Sequence, residues 1–154
     1  MGRITDEENI PHIPEHTQYV DAGLLTIGVA YRVLNEQVLQ ETYGADRPGD
    51  AGGRKTLVDD GGVAIHVFEN VEGKLVEHLR FDCFSDGPHY HYLNAKTGIQ
   101  EMWEMDTVAD GESLTWVLER LGSRLSQMLA HAGATELATR VDQAEAAAAL
   151  PKVA

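Results

Sequence analysis

The 154-residue chain has a single cysteine, Cys83, and so neither an internal disulfide nor a cysteine-rich zinc site. A lone thiol also fits a reducing compartment better than an oxidising one. Cationic side chains are scarce: 12 Lys and Arg stand against 25 Asp and Glu, a formal net charge of -13. Nucleic acid is bound by cations that displace counterions from phosphates, so this balance excludes it as an expected partner, and it disfavours anionic membrane surfaces for the same reason. No apolar run approaches the roughly 20 residues of a membrane-crossing helix. Met1-Gly2-Arg3-Ile4-Thr5-Asp6 has none of the apolar character of a secretory leader. A cytoplasmic protein with no nucleic-acid and no membrane partner is expected.

What is present suffices for one core, since hydrophobic residues make up 43% of a chain of ordinary domain length. Residues 1–17 read as an extended polar arm, because Pro11 and Pro14 remove backbone donors and bias their predecessors towards extended structure. His12 and His16 have the spacing of one helical face, but Pro14 stands between them. From 19 to 33 the pattern alternates, with Leu25, Ile27, Val29, Tyr31 and Val33 on one side, the signature of a half-buried strand. Gly23 and Gly28 within it are expected to mark a bulge or a close backbone approach. Asn35 offers a cap for a short helix ending at Gly44, and the glycine- and aspartate-rich segment 45–62 reads as a long loop.

Segment 63–106 reads as a four-stranded antiparallel meander carrying His66, His78, His89 and His91. A three-residue Val71-Glu72-Gly73 loop would oppose Ile65 to Leu79 and His66 to His78, apolar pairs on one face and histidines on the other. The next turn has two solutions. A two-residue Asp86-Gly87 loop opposes Asp82 to His91 and sends His89 and His91 to the face of His66 and His78; a three-residue loop that adds Ser85 sends them to the apolar face. A third loop, ending at Gly98, would oppose His91 to Trp103 and Leu93 to Glu101.

The C-terminal third is helical. Leu114, Val117, Leu118, Leu121, Leu125, Met128 and Leu129 follow three-four spacing, with Asp110 or Ser113 as cap and Gly133 as terminator. A second helix is expected from Thr135 to Ala148, stopped by Pro151. Strands followed by helices imply an α+β fold: an antiparallel sheet of about five strands, the meander 63–106 plus strand 19–33, covered on one face by an amphipathic helix. The organisation is an arm at 1–17, one domain at 18–133, and a helical tail at 134–154.

Histidines at i and i+2 of a strand point to the same side, which is how a sheet gathers metal ligands. His66, His78, His89 and His91 are therefore the candidate ligands, with Asp82 assisting and Glu101 as a further carboxylate or as the acceptor that fixes a ligand tautomer. Imidazoles suit zinc, iron or copper. The cupin family shares only the His-x-His pair; its following glutamate has no counterpart here, because Glu101 stands too far beyond His91. Cys83 lacks the exposed, charge-stabilised setting of a nucleophile. Met102, Trp103, Met105 and Trp116, with Tyr90 and Tyr92, are bulky enough to build either core or a ligand pocket between sheet and helix.

With no complete catalytic constellation, whether the chain is an enzyme is left open. Three functions stand: association with a protein partner, as a homodimer or as an accessory subunit of a larger enzyme; metal binding or metal-dependent catalysis by the histidine cluster; and small-molecule binding between sheet and helix.

Overall fold

The computed structural model describes residues 2–5, 12–35 and 59–152; the helix expected after Asn35 and most of the loop expected at 45–62 lie outside these. Seven strands form one antiparallel sheet: β1 (Gly2–Thr5), β2 (Thr17–Ala22), β3 (Leu25–Asn35), β4 (Asp59–Val71), β5 (Lys74–Phe84), β6 (His89–Leu93) and β7 (Gln100–Glu104). Their spatial order is β1-β7-β6-β5-β4-β3-β2. Helices α1 (Ser113–His131), α2 (Thr135–Arg140) and α3 (Gln143–Ala149) follow. The fold is thus α+β, and no helix among the described residues is long and apolar enough to cross a membrane.

Two strands exceed the expected five. Segment 19–33 is a hairpin rather than one strand: Gly23 takes a positive φ of 76° and Ala22 pairs with Leu25, so this glycine makes a turn instead of a bulge. In the arm, residues 2–5 pair with β7 as an edge strand. Four residues with no periodic pattern carry no strand signal of their own, so only the partner strand reveals them. Part of the expected loop is also ordered sheet, since β4 begins at Asp59.

One face of the sheet carries the core. Ile27, Ile65, Val67, Leu79 and Phe81 meet Val117, Leu121, Leu125 and Leu129 of α1, all essentially inaccessible to solvent. Burying each such side chain contributes about 1.5–3 kcal/mol. Glu112, rather than Asp110 or Ser113, caps α1 by accepting from the amides of Leu114 and Thr115. The helix ends at Gly133, φ 95°, as expected. The anticipated Thr135–Ala148 helix is two: Val141 is extended and Asp142 caps α3 through the amides of Ala144 and Glu145. An aspartate competes with the helical backbone for those amides, which alanine propensity does not override.

Register within the meander decides the chemistry of the second face. The first hairpin turns on two residues, Glu72 and Gly73, both at positive φ, with Val71 paired to Lys74. A bulge then shifts the ladder: Phe68 pairs with Glu77 but Val67 with Leu79, leaving His78 as the extra residue. Ile65 therefore faces Phe81, and His66 faces Arg80 instead of His78.

The connection between β5 and β6 is longer than either alternative, with Asp82 opposite His89 and Arg80 opposite His91. Its parity nevertheless matches the two-residue solution, so both histidines lie on the face of His66. The last connection is longer too: Asn94 accepts the Gly98 amide on its carbonyl and the Lys96 and Thr97 amides on its side chain, and Leu93 pairs with Gln100. This is one residue away from the expected Leu93–Glu101 pairing, and it exchanges the faces of Gln100 and Glu101.

Candidate metal centre

Away from the helices, the sheet presents a face that is polar yet buried. His66, Arg80, Asp82, His91 and Gln100 are each less than 9% exposed. Strand alternation puts them there, and segment 12–16 adds partial cover: the His12 ring lies 4.7 Å from Phe68 and 5.7 Å from His66 between centroids. Such burial is costly unless every charge is matched.

Three candidate ligands converge on this face. Asp82, His89 and His91 place one donor atom each within 4.8 Å of one another. Asp82 Oδ2 is 3.2 Å from His89 Nε2 and 3.3 Å from His91 Nε2. The other ring nitrogens are engaged from behind: His89 Nδ1 donates to the Gly87 carbonyl at 2.7 Å, and His91 Nδ1 donates to Gln100 Oε1 at 3.0 Å. With Nδ1 donating, a neutral imidazole carries its lone pair on Nε2. In that form two lone pairs and a carboxylate oxygen face one point, a donor set that could hold a metal cation; with a ring protonated at both nitrogens, Nε2–H instead donates to Asp82.

The two carboxylate–imidazole spacings are compatible with a metal. Two ligands about 2.0–2.1 Å from a zinc ion at the tetrahedral angle stand about 3.3 Å apart, whereas a charge-assisted N–H···O bond is typically about 2.7–2.9 Å. Asp82 is divided between two duties. Its Oδ1 lies 3.7 Å from the Arg32 guanidinium while Oδ2 serves the histidines.

The electrostatics follow from these contacts. Burial works to raise the Asp82 carboxyl, but hydrogen bonds from His89 and His91 outweigh it and hold the group far below the usual carboxylate range. Burial also disfavours a charged His89, yet the hydrogen bond and charge of Asp82 prevail and raise it. For His91 burial wins and the ring is pushed towards the neutral form, with Asp82 already shared and His89 opposing a second charge.

Two of the expected ligands do not join this centre. His66 sits one strand further along the face, where its Nδ1 is 2.8 Å from Glu77 Oε2; Glu77 Oε1 in turn is 2.6 Å from Arg80. The bulge turns His78 to the helix side, where it bonds Glu69 at 3.0 Å and lines a cleft with Gly133 and Arg140. Glu101 is also displaced: the register sends it to meet His131 Nε2 at 3.0 Å and Trp103 Nε1 at 2.6 Å. Gln100 takes its expected place behind the ligand, a residue that sequence reasoning passed over because the turn length that exchanges the two was misjudged. Asp60 was also missed, and nothing in its local sequence flags it. Its carboxylate accepts the amides of Asp86 and Gly87 and so fixes the loop that offers the Gly87 carbonyl to His89.

Cys83 does not have the exposed, charge-stabilised setting of a nucleophile. It packs against the core on the side opposite His89, and burial pushes its thiol up to about 11.

A family profile matches residues 19–154. The chain belongs to DUF7700, a domain of unknown function. No curated protein and no solved structure matches it. The DUF7700 match takes in Asp82, His89, His91, Gln100 and Asp60, and leaves β1 and His12 outside.

Proposed function

We propose that this protein binds a divalent transition metal through Asp82 Oδ2, His89 Nε2 and His91 Nε2. The observation that supports the reading is the pair of engaged Nδ1 atoms, which in the neutral rings leaves both Nε2 atoms free to ligate beside one carboxylate oxygen. Two imidazoles and a carboxylate suit zinc or iron, and the two carboxylate–imidazole spacings of 3.2 and 3.3 Å are those of tetrahedral zinc ligands. Three protein ligands leave a position for water or substrate, as catalytic zinc sites do and structural ones do not. The cytoplasm is the setting we propose, on the strength of the lone cysteine.

Metal analysis after purification without a histidine tag tests the reading, alongside a His89→Ala, His91→Ala double variant checked for folding by circular dichroism. Near-stoichiometric metal in the native protein and its loss in the variant are expected. Substoichiometric metal in both, after incubation with zinc and with iron(II), overturns it.

One observation favours association as a second reading. β2 ends its pairing at Ala30, so the outer side of β3 beyond that point has no β2 partner, and Tyr31 and Val33 there are 68% and 50% exposed. Among the described residues this edge is unpaired, and an unpaired strand with apolar side chains is a template for pairing with another chain. Light scattering of the native protein and of Tyr31→Ser tests it: a dimer weakened by the substitution supports self-association, and a monomer in both removes it.

A further inference from the structure

Strand β6 is two-sided. His89 and His91 point to the metal centre; Tyr90 and Tyr92 point the other way, towards α1. There they floor a groove of about 600 Å³ together with Trp116, and Arg120, Arg124 and His131 wall it. We infer that this groove is a second, independent binding site, for a planar aromatic ring carrying a carboxylate.

The floor is a run of aromatic rings in edge-on and tilted contact with one another. Ring centroids are 5.3 Å apart for Tyr90 and Trp116, 5.6 Å for Tyr90 and Tyr92, and 4.4 Å for Tyr92 and His131. Such a surface takes a flat ring in stacked or edge-on contact. The volume lies in the range of small-molecule sites.

The wall supplies charge of the sign the rest of the protein lacks. Arg120 and Arg124 are one helical turn apart on α1, and among the described residues neither has a carboxylate partner, in a chain of net charge -13. The Arg120 guanidinium lies 5.2 Å over the Trp116 ring, which holds the cation beside the floor, within reach of a carboxylate carried by a ring bound there. Burial pushes the Tyr92 hydroxyl up to about 12 and raises that of Tyr90, so both stay protonated; Tyr92 donates to Tyr90, which leaves the Tyr90 proton for a ligand. Glu101 at the rim is already engaged by His131 and Trp103. Of the side chains lining the groove Arg120 and Arg124 are cationic and none is a carboxylate, though Glu101 and Asp110 lie near enough to act on Tyr90; an anion with an aromatic body satisfies both floor and wall.

The test is protein-observed NMR with 2-naphthoate, its neutral amide 2-naphthamide, and acetate. We expect 2-naphthoate at low-millimolar concentration to shift the Tyr90, Tyr92 and Trp116 resonances, with the amide and acetate at least tenfold weaker. Arg124→Gln, an exposed substitution that leaves the core untouched, is expected to weaken 2-naphthoate by about fivefold, and the Arg120→Gln, Arg124→Gln pair by more than tenfold. The His89→Ala, His91→Ala variant keeps this binding, so failure of the metal reading and failure of this one are told apart. Equal affinity for acid and amide, retention of affinity in Arg124→Gln, or no shift at these residues up to 10 mM overturns the inference.

Discussion

Asp82 and His89 stand opposite each other on adjacent strands, with Oδ2 and Nε2 3.2 Å apart and the far nitrogen of the same ring donating to Gly87. The sheet ladder and the loop backbone together fix that ring at both ends. His91 is fixed the same way by Asp82 and Gln100. A ligand pair held from behind needs little reorganisation to receive a metal, and the groups behind it become testable in their own right.

Gln100→Leu removes the acceptor of His91 Nδ1 while keeping the volume. We expect zinc affinity to fall by about 10- to 100-fold, the usual cost of losing a partner behind a ligating histidine, with the fold retained by circular dichroism. Competition against a chromophoric chelator measures it, and unchanged affinity would place Gln100 outside the site.

Asp60 acts at one remove, through the loop that presents the Gly87 carbonyl. Asp60→Ala frees the amides of Asp86 and Gly87. Weaker zinc binding with unaltered ligand residues is expected, about threefold to tenfold by the same reasoning. The chelator assay reports it, and hydrogen exchange at Asp86 and Gly87 should rise in parallel.

Glu77 gives the pH dependence. Burial raises its carboxyl, but the hydrogen bond with His66 and the charge of Arg80 outweigh it, so its folded value lies below the ordinary 4.5. A depressed carboxyl stabilises the fold above its unfolded value, and that contribution is lost as pH falls through the folded one. Glu77→Gln is therefore expected to cost about 3 kcal/mol at pH 7, as when one partner leaves a buried pair. The gap between variant and native protein should narrow below about pH 4.5. Urea unfolding at pH 7, 5 and 3.5 measures it, and a gap independent of pH would contradict the assignment.

Gly62 of β4 lies against the backbone of β5 at Cys83 and Phe84. A Cβ there would stand 2.3 Å from the Cys83 carbonyl oxygen, a backbone atom that moves only with its strand. Gly62→Ala is expected to destabilise by about 1–3 kcal/mol, the usual range for overpacking. It should also disturb Asp82 beyond Cys83, so thermal unfolding and zinc affinity should fall together.

Several elements were legible without coordinates because their signal is local. The three-four spacing from Leu114 to Leu129 specifies an amphipathic helix whatever it packs on, and the alternation of β4 and β5 specifies strands with one apolar face. The parity of His89 and His91 was reduced to two alternatives, of which one holds. Less was legible where a partner decides. Residues 2–5 are a strand because β7 offers an edge, and the break before Asp142 depends on a side chain capping in place of continuing a helix.

The candidate site divides along the same line. Composition and the His-x-His pattern determined that β6 would offer two imidazoles to one side and two phenols to the other, since strand alternation is a property of the backbone alone. Tertiary structure decided what each side meets. A single bulge at Val67 and Phe68 removed His78 from the cluster, and a longer turn after Asn94 set Gln100 in place of Glu101 behind His91. One added residue in a ladder of period two exchanges the faces of everything beyond it, and the length of a turn depends on which amides its side chains capture, a choice made only when the strands pair.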